Sequence, residues 1–159
     1  MKNYIAWSKD KDNLLKSSSG GIFYELAKEV IKNKGAVVGV MMPGETPYYR
    51  VAFDLEQVQD MRGSKYLRAR LDPVIEDIFL PNKIPVLFVG LPCTIAAMRK
   101  KYPNKINVIY VELRCNGVIK KEEFKKCLSR KWIYRTISSL SYDRPYWKRG
   151  AIYLRVEDE

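Results

Sequence analysis

Histidine is missing from this sequence of 159 residues, and its absence excludes several kinds of mechanism. Neither a Ser-His-Asp nor a Cys-His arrangement can be built, and the commonest zinc ligand is unavailable. Cysteine is scarce as well: the three cysteines are an odd number, lie far apart and form no C-x-x-C pair. This pattern indicates neither a disulfide framework nor a self-contained zinc site. Any chemistry must therefore come from cysteine, lysine, tyrosine, carboxylates or a bound cofactor.

Long apolar runs are also absent. None approaches the roughly 20 residues that a membrane-spanning helix needs, and the polar N-terminal residues lack the apolar core of a secretion signal. We therefore expect a cytoplasmic protein with no membrane span. With 47% apolar and 30% charged residues, the composition is that of one globular domain. The net charge of +11 favours anionic partners, such as phosphorylated cofactors, acidic proteins or nucleic acid.

The segment around Cys93 has the pattern of a buried strand that leads into a helix. An apolar run, Pro85–Val89, is bounded by proline and glycine, and an alanine-rich stretch follows Cys93. The turn would place the thiol where helix amides point outward, and a thiolate there gains from the positive end of the helix dipole. The alternative is that Cys93 is a small buried apolar residue.

A second predicted strand, Lys105–Leu113, leads to Cys115 in the same way. Both cysteines would then lie just past the carboxyl ends of strands, and in an open α/β sheet that edge is where ligands bind. Cys127 falls instead on the inner side of a predicted basic helix, Glu122–Trp132, where packing is favoured over ligation.

Two short polar segments have the composition of ligand-binding loops. Three serines and two glycines, residues 17–21, directly precede a predicted helix that begins at Ile22 and ends at Gly35. Small residues there allow a phosphate to approach the helix terminus, although ordinary capping by a serine is the alternative. In the second segment, Gly63–Tyr66, a lysine supplies charge, a serine a hydrogen bond and a tyrosine a ring for stacking.

The remaining pattern predicts an α/β fold, with a mixed sheet flanked by helices in a single, incomplete domain. The pattern predicts a hairpin of Gly35–Met42 and Tyr48–Phe53, and a helix at Asp72–Phe79 that starts with proline after an aspartate. The other predicted elements are a polar turn at Lys9–Asn13, a helix at Leu55–Met61 and strands at Asn3–Ser8, Arg135–Tyr142 and Ala151–Val156.

Taken together, four motifs resemble one known family. The order and spacing of Ser-Ser-Gly-Gly (18–21), Gly-Ser-Lys-Tyr (63–66), Gly-Leu-Pro-Cys (90–93) and Cys-Asn-Gly-Val (115–118) are similar to those of the beta subunit of the coenzyme F-420 (deazaflavin) hydrogenase and dehydrogenase family. The resemblance runs from about Tyr4 to Val156.

That resemblance implies a flavoprotein with FAD and a 4Fe–4S cluster, which passes electrons between the cluster and a two-electron carrier, coenzyme F-420 in the best-known branch. It implies other redox subunits or ferredoxin as partners, and a soluble electron carrier. Cys93 and Cys115 match expected cluster ligands. The residues matching segments expected to line the cofactor site are Ser18, Ser19, Gly20, Gly21, Gly63, Ser64, Lys65, Tyr66, Asn116 and Gly117.

The sequence also departs from the family pattern. Asn116 stands where the family usually has histidine, Thr94 where it usually has glutamine, and the family's later cysteine pair would lie beyond Glu159. Because a cubane cluster normally takes four thiolates, we expect that this chain alone cannot hold a complete one. We expect it to be the core of a longer polypeptide, without the ferredoxin-like and C-terminal portions.

Two alternatives from other functional classes stay open at this point. One is a basic module for nucleic acid or another polyanion, which could use a late group of aromatic and cationic residues to stack bases and contact phosphates. That group comprises Trp132, Tyr134, Arg135, Arg144, Tyr146, Trp147, Lys148 and Arg149. No known nucleic-acid-binding motif accompanies it, so nucleic acid is the less favoured partner. The other is a redox-inactive interaction domain, as the departures from the pattern would allow.

Overall fold

The computed structural model of the protein describes residues 5–44, 46–79, 83–130, 137–141 and 153–156. The helices are α1 (Lys11–Leu15), α2 (Ile22–Lys32), α3 (Leu55–Gln59), α4 (Val74–Phe79), α5 (Pro92–Lys101) and α6 (Lys121–Arg130). The strands are β1 (Ala36–Met41), β2 (Tyr48–Ala52), β3 (Arg70–Leu71), β4 (Val86–Gly90), β5 (Val108–Glu112), β6 (Ile137–Ser141) and β7 (Tyr153–Val156).

Five strands form a mixed sheet in the order β3-β2-β1-β4-β5. The hairpin strands β1 and β2 are antiparallel, whereas β4 runs parallel to β1 on one side and to β5 on the other. The short edge strand β3 is parallel to β2, and β6 pairs with β7 as a separate antiparallel ribbon. The carboxyl ends of β1, β4 and β5 therefore lie at one edge of the sheet.

Helices cover both faces of this sheet, and β4 lies between the two layers. Its alternate residues point to opposite faces: Leu87 and Val89 pack with the buried side of α2 and α3, and Val86 and Phe88 pack with α4 and α5. All five residues of β4 are buried, which explains why the strand is almost purely apolar. The central strand thus anchors two hydrophobic layers.

Local sequence explains how the helices beside β4 begin and end. Pro92 occupies the first turn of α5, where its missing N–H is not needed, and the last turn carries Arg99, Lys100 and Lys101, which complement the helix dipole. Helix α2 starts after Gly21, and β1 follows it closely because Lys34 adopts φ = 56° and turns the chain.

The predicted α/β class and mixed sheet flanked by helices are confirmed, as are the hairpin and the strands that precede the two cysteines. The predicted strand at Asn3–Ser8 is wrong for residues 5–8, and residues 3 and 4 lie outside the described part. The predicted polar turn at Lys9–Asn13 is wrong where α1 forms, because the Asp10 carboxylate caps that helix by accepting hydrogen bonds from the amides of Asp12 and Asn13.

Some predictions fall partly or wholly on residues that the structure does not describe. The cores of both late strands are present as β6 and β7. Every member of the predicted aromatic and cationic group lies outside the described residues. Within the described chain, no helix has the length and apolar character needed to cross a membrane.

Two paired residues, one on β4 and one on β5, test whether the hydrophobic core extends to the edge of the sheet. Leu87 is fully buried and pairs with Ile109, which is 54% exposed. We expect Leu87→Ala to lower the free energy of unfolding by about 2–5 kcal/mol, because it leaves a cavity between sheet and helix. Ile109→Ala is the matched control and should cost less than about 1 kcal/mol. Equal losses in urea denaturation would show that β5 is as fully covered as β4.

Candidate functional site

Two of the predicted ligand loops contact each other directly. The Ser64 amide donates a hydrogen bond of 2.8 Å to the Ser18 hydroxyl oxygen, although 46 positions separate them. The other end of the second loop contacts the segment after Cys115, because the Ile119 amide donates to the Tyr66 carbonyl at 2.8 Å. Leu67 and Ile119 also form an isolated parallel bridge. Residues 63–66 therefore link the serine–glycine loop to the Cys115 segment.

The two cysteines follow paired strand ends. Gly90, the last residue of β4, pairs with Glu112, the last residue of β5, and the Leu113 amide donates to the Gly90 carbonyl at 2.9 Å. Each cysteine comes three residues later in its own chain segment, and both side chains are exposed. Cys93 and Cys115 thus leave the sheet from the same edge, as predicted. The interpretation of Cys93 as a small buried core residue is wrong.

Cys93 lies in the first turn of α5, above a buried tyrosine. The Leu91 amide donates to the Tyr49 hydroxyl at 3.4 Å, and the Thr94 side chain shares a hydrogen bond with the same hydroxyl. A Cβ at Gly90 would lie 2.8 Å from that oxygen, so glycine is required for the turn to pass over Tyr49. Burial raises the pKa of Tyr49 above its usual value, which keeps the hydroxyl protonated.

The Cys115 segment ends in a backbone conformation that glycine permits. Gly117 has φ = 114°, and its amide donates a hydrogen bond of 3.4 Å to the Cys115 sulfur. Asn116 and Gly117 are both exposed. Their backbone therefore lies beside the sulfur and is accessible from solvent.

The serine–glycine loop ends at a helix start without a side-chain cap. Gly21 is the N-cap of α2 in the left-handed region, with φ = 75°, and among the described residues no side chain bonds to the first-turn amides. Ser17 donates to the Asn13 carbonyl and Ser18 accepts from Ser64, so neither acts as the capping serine that was the alternative. Ser19 and Gly20 complete the loop, and the Gly20 carbonyl accepts from the Ser8 amide at 2.7 Å.

Lys65 lies in the expected loop but faces the backbone. Its ammonium group donates to the carbonyls of Arg62 at 2.5 Å and of Asp60 and Gly63 at 3.3 Å. These hydrogen bonds stabilise the turn by which the chain reverses direction after α3. Tyr66, the last residue of the loop, is 37% exposed.

Sequence reasoning missed the polar cluster beneath this loop. Asn13 is 2% exposed, and its side-chain amide donates to the Gly21 carbonyl at 3.1 Å and to a Glu25 oxygen at 2.7 Å. Arg62 donates to the same asparagine from the other side. Asn13 lies in a short helix whose sequence has no periodic pattern that would predict its burial. The sequence signal for this cluster was Arg62, which directly precedes Gly-Ser-Lys-Tyr.

Glu25 is the charged member of the cluster. Its ion pair with Lys28 at 2.6 Å, helped by hydrogen bonds from Ser8 and Asn13, lowers its pKa to about 2. Burial opposes this shift only in part. The carboxylate therefore stays ionised in the first turn of α2, and Lys28 balances its charge.

The described side chains contain no group of three or more cysteine, aspartate or glutamate residues able to hold a metal ion. Because a cubane cluster takes four thiolates, Cys93 and Cys115 can supply at most half of a ligand set.

The lowered pKa of Glu25 predicts a pH-dependent contribution to stability. A folded-state pKa of about 2 means that the carboxylate stabilises the fold above about pH 5, and that this contribution is lost as the pH falls toward 2. Because the side chain is 33% exposed, solvent screening reduces the contribution to about 1 kcal/mol.

We therefore expect Glu25→Gln to destabilise the protein at pH 7 but to match the original chain near pH 2, as measured by chemical denaturation across this range. Glu56→Gln, which changes an exposed glutamate in the first turn of α3, is the control. A deficit of Glu25→Gln that stays constant with pH would contradict the assignment.

Comparisons with known proteins agree with the first two motifs and with the fold. Residues 3–76 match the family model described as coenzyme F420 hydrogenase/dehydrogenase, beta subunit N-term. No curated protein matches the chain. Among solved structures, a chain of the F420-reducing NiFe hydrogenase complex from Methanosarcina barkeri is similar with a TM-score of 0.65 and 19% identity, over 96% of this chain and 60% of that one. This chain therefore spans 60% of the length of that relative, and the likeness shows the fold. Residues 3–76 therefore belong to the N-terminal part of the coenzyme F420 hydrogenase/dehydrogenase beta-subunit family.

Proposed function

We propose that the chain is the core of a flavin-dependent redox subunit. Residues 18–21 and 63–66 bind FAD, with Asn116 and Gly117 at the border of the site, and Cys93 and Cys115 are two ligands of an iron–sulfur cluster. Family membership of residues 3–76 supports a role in redox chemistry, and the similar fold in a hydrogenase complex supports other redox subunits as partners.

One observation carries this proposal: segments far apart in sequence meet at one edge of the sheet. The Ser64–Ser18 and Ile119–Tyr66 hydrogen bonds join three of the four motifs, and the paired ends of β4 and β5 bring in the fourth. A domain without a ligand has no need to gather two glycine-rich loops and two exposed thiols at the edge where α/β sheets bind ligands.

The serine–glycine loop has two properties that suit a pyrophosphate. Gly21 leaves the amides at the start of α2 without a side-chain cap, and the positive end of this eleven-residue helix favours an anion. The Glu25 carboxylate in the same turn would repel a phosphate, but its ion pair with Lys28 balances that charge. The backbone amides at the end of this loop are therefore suited to bind a phosphate.

The second loop would supply shape and a stacking surface. Lys65 holds the loop closed through three carbonyls, and the part-exposed ring of Tyr66 is placed to stack on a planar ring. When bound, FAD supplies hydride exchange with a two-electron carrier and single-electron exchange with a cluster. The residues named here bind and orient it, and coenzyme F420 is the proposed carrier.

The cysteines fit half of a cluster site. Cys93 lies exposed in the first turn of α5, and the Gly117 amide donates to the Cys115 sulfur. Two further thiolates must come from outside the described residues or from another chain.

Titration with FAD tests the flavin site. Gly21→Ala should raise the FAD dissociation constant about tenfold, because the new methyl group is strained at φ = 75° and lies 3.0 Å from the Asn13 side chain. Gly44→Ala is the matched control: it has φ = 96° but nothing within 4 Å of its Cβ. Flavin fluorescence gives the affinity, and circular dichroism confirms the fold.

If the folded protein retains no FAD, the flavin proposal is wrong, and an interaction domain becomes the better description. Equal weakening by Gly21→Ala and Gly44→Ala would place the FAD site elsewhere.

Reconstitution with iron and sulfide tests the thiolates. We expect Cys93→Ser and Cys115→Ser each to lower the retained iron and the cluster absorbance, because serine is a poor cluster ligand. Cys127→Ser, in α6, is the control and should retain both. Full cluster absorbance in either of the first two variants would remove that cysteine from the ligand set.

A further inference from the structure

Arg62 precedes the Gly-Ser-Lys-Tyr motif, but its guanidinium group is directed into the protein. One terminal nitrogen donates to the Asn13 carbonyl at 2.8 Å, to the Asn13 side-chain oxygen at 2.6 Å and to the Ser17 hydroxyl at 3.3 Å. The other donates to Gln59 at 2.9 Å. The guanidinium carbon lies 4.3 Å from the centre of the Tyr24 ring. Arg62 therefore contacts α1, the serine–glycine loop, α2 and the end of α3.

Asn13 connects Arg62 to the serine–glycine loop through hydrogen bonds. Its side-chain amide donates to the Gly21 carbonyl, and its backbone carbonyl accepts from the Ser17 hydroxyl at 2.7 Å. The first and last residues of the loop are thus both bonded to one buried asparagine, and Arg62 bonds to that asparagine twice. The middle of the loop is bonded to Ser64, two residues after Arg62.

We propose that Arg62 is a positioning residue, which orders the serine–glycine loop before any ligand binds and holds it against residues 63–66. It acts through Asn13 and Ser17 and does not contact the ligand. The identity of the ligand rests on the proposed function, whereas the ordering of the loop does not.

This arrangement depends on the shape of arginine as well as its charge. A planar guanidinium can donate to partners on two sides and stack on Tyr24 at the same time, whereas a lysine ammonium is a compact point charge. A residue that served only to attract phosphate would tolerate lysine. The Arg62→Lys variant therefore separates positioning from simple charge.

Hydrogen exchange on the ligand-free chain provides the test. In Arg62→Lys, we expect the amides of residues 16–21 to exchange about tenfold faster or more, while those of β4 keep their original rates. Arg99→Lys is the matched control, because Arg99 also lies over a tyrosine ring, 5.0 Å from the centre of Tyr110, and pairs with Glu112 at 3.7 Å. It should leave the loop unchanged.

Ser17→Ala is a milder second variant that removes one acceptor and keeps the arginine. It should accelerate exchange in the same loop by a smaller factor. Unchanged loop exchange in Arg62→Lys would overturn the proposal, and so would an acceleration that is equal in the loop and in β4, since that indicates global destabilisation.

Affinity for FAD separates this proposal from the proposed function. If FAD binds the original chain, Arg62→Lys should weaken it about tenfold, because the loop must then be ordered at the expense of binding energy; unchanged affinity would overturn the proposal. If the original chain does not bind FAD, the proposed function fails, and loop exchange alone decides the role of Arg62.

Discussion

The parallel pairing of β4 with both β1 and β5 is the constraint on which the site depends. In the observed register, the alternate residues of β4 fill the two hydrophobic layers. That register pairs Gly90 with Glu112, so the chain leaves both strands at the same level. Cys93 and Cys115 each come three residues after those ends, so both leave the sheet at the same edge.

Polar contacts, rather than hydrophobic packing, hold the loops at this edge. Arg62 and Lys65 carry the charges that a phosphate would attract, yet both are engaged with carbonyls and side chains of the protein. Basic residues in a glycine-rich loop can thus shape the loop, while backbone amides and the helix dipole are left to recognise an anion. The +11 net charge still favours the approach of anionic ligands from solution.

Much of the fold was predictable because its signals are local. Apolar runs bounded by glycine and proline marked β1, β4 and β5, and apolar residues at helical spacing marked α2. Residues 11–13 were mispredicted as a turn because a single aspartate cap, Asp10, decides whether this polar stretch forms a helix. The two-residue strand β3 is too short for any periodicity, and only pairing with β2 defines it.

For the site, the sequence by itself determined the residue types: serines and glycines before a helix, a Gly-Ser-Lys-Tyr loop and two cysteines after strands. Only the tertiary structure decided which of them meet and which side chains face inward. Asn13 and Arg62 form their bonds across 49 positions of sequence, and the inward direction of Lys65 depends on how the chain reverses after α3. Such contacts produce no periodic pattern in the sequence, because hydrogen bonds between distant residues depend on where the folded backbone brings them together.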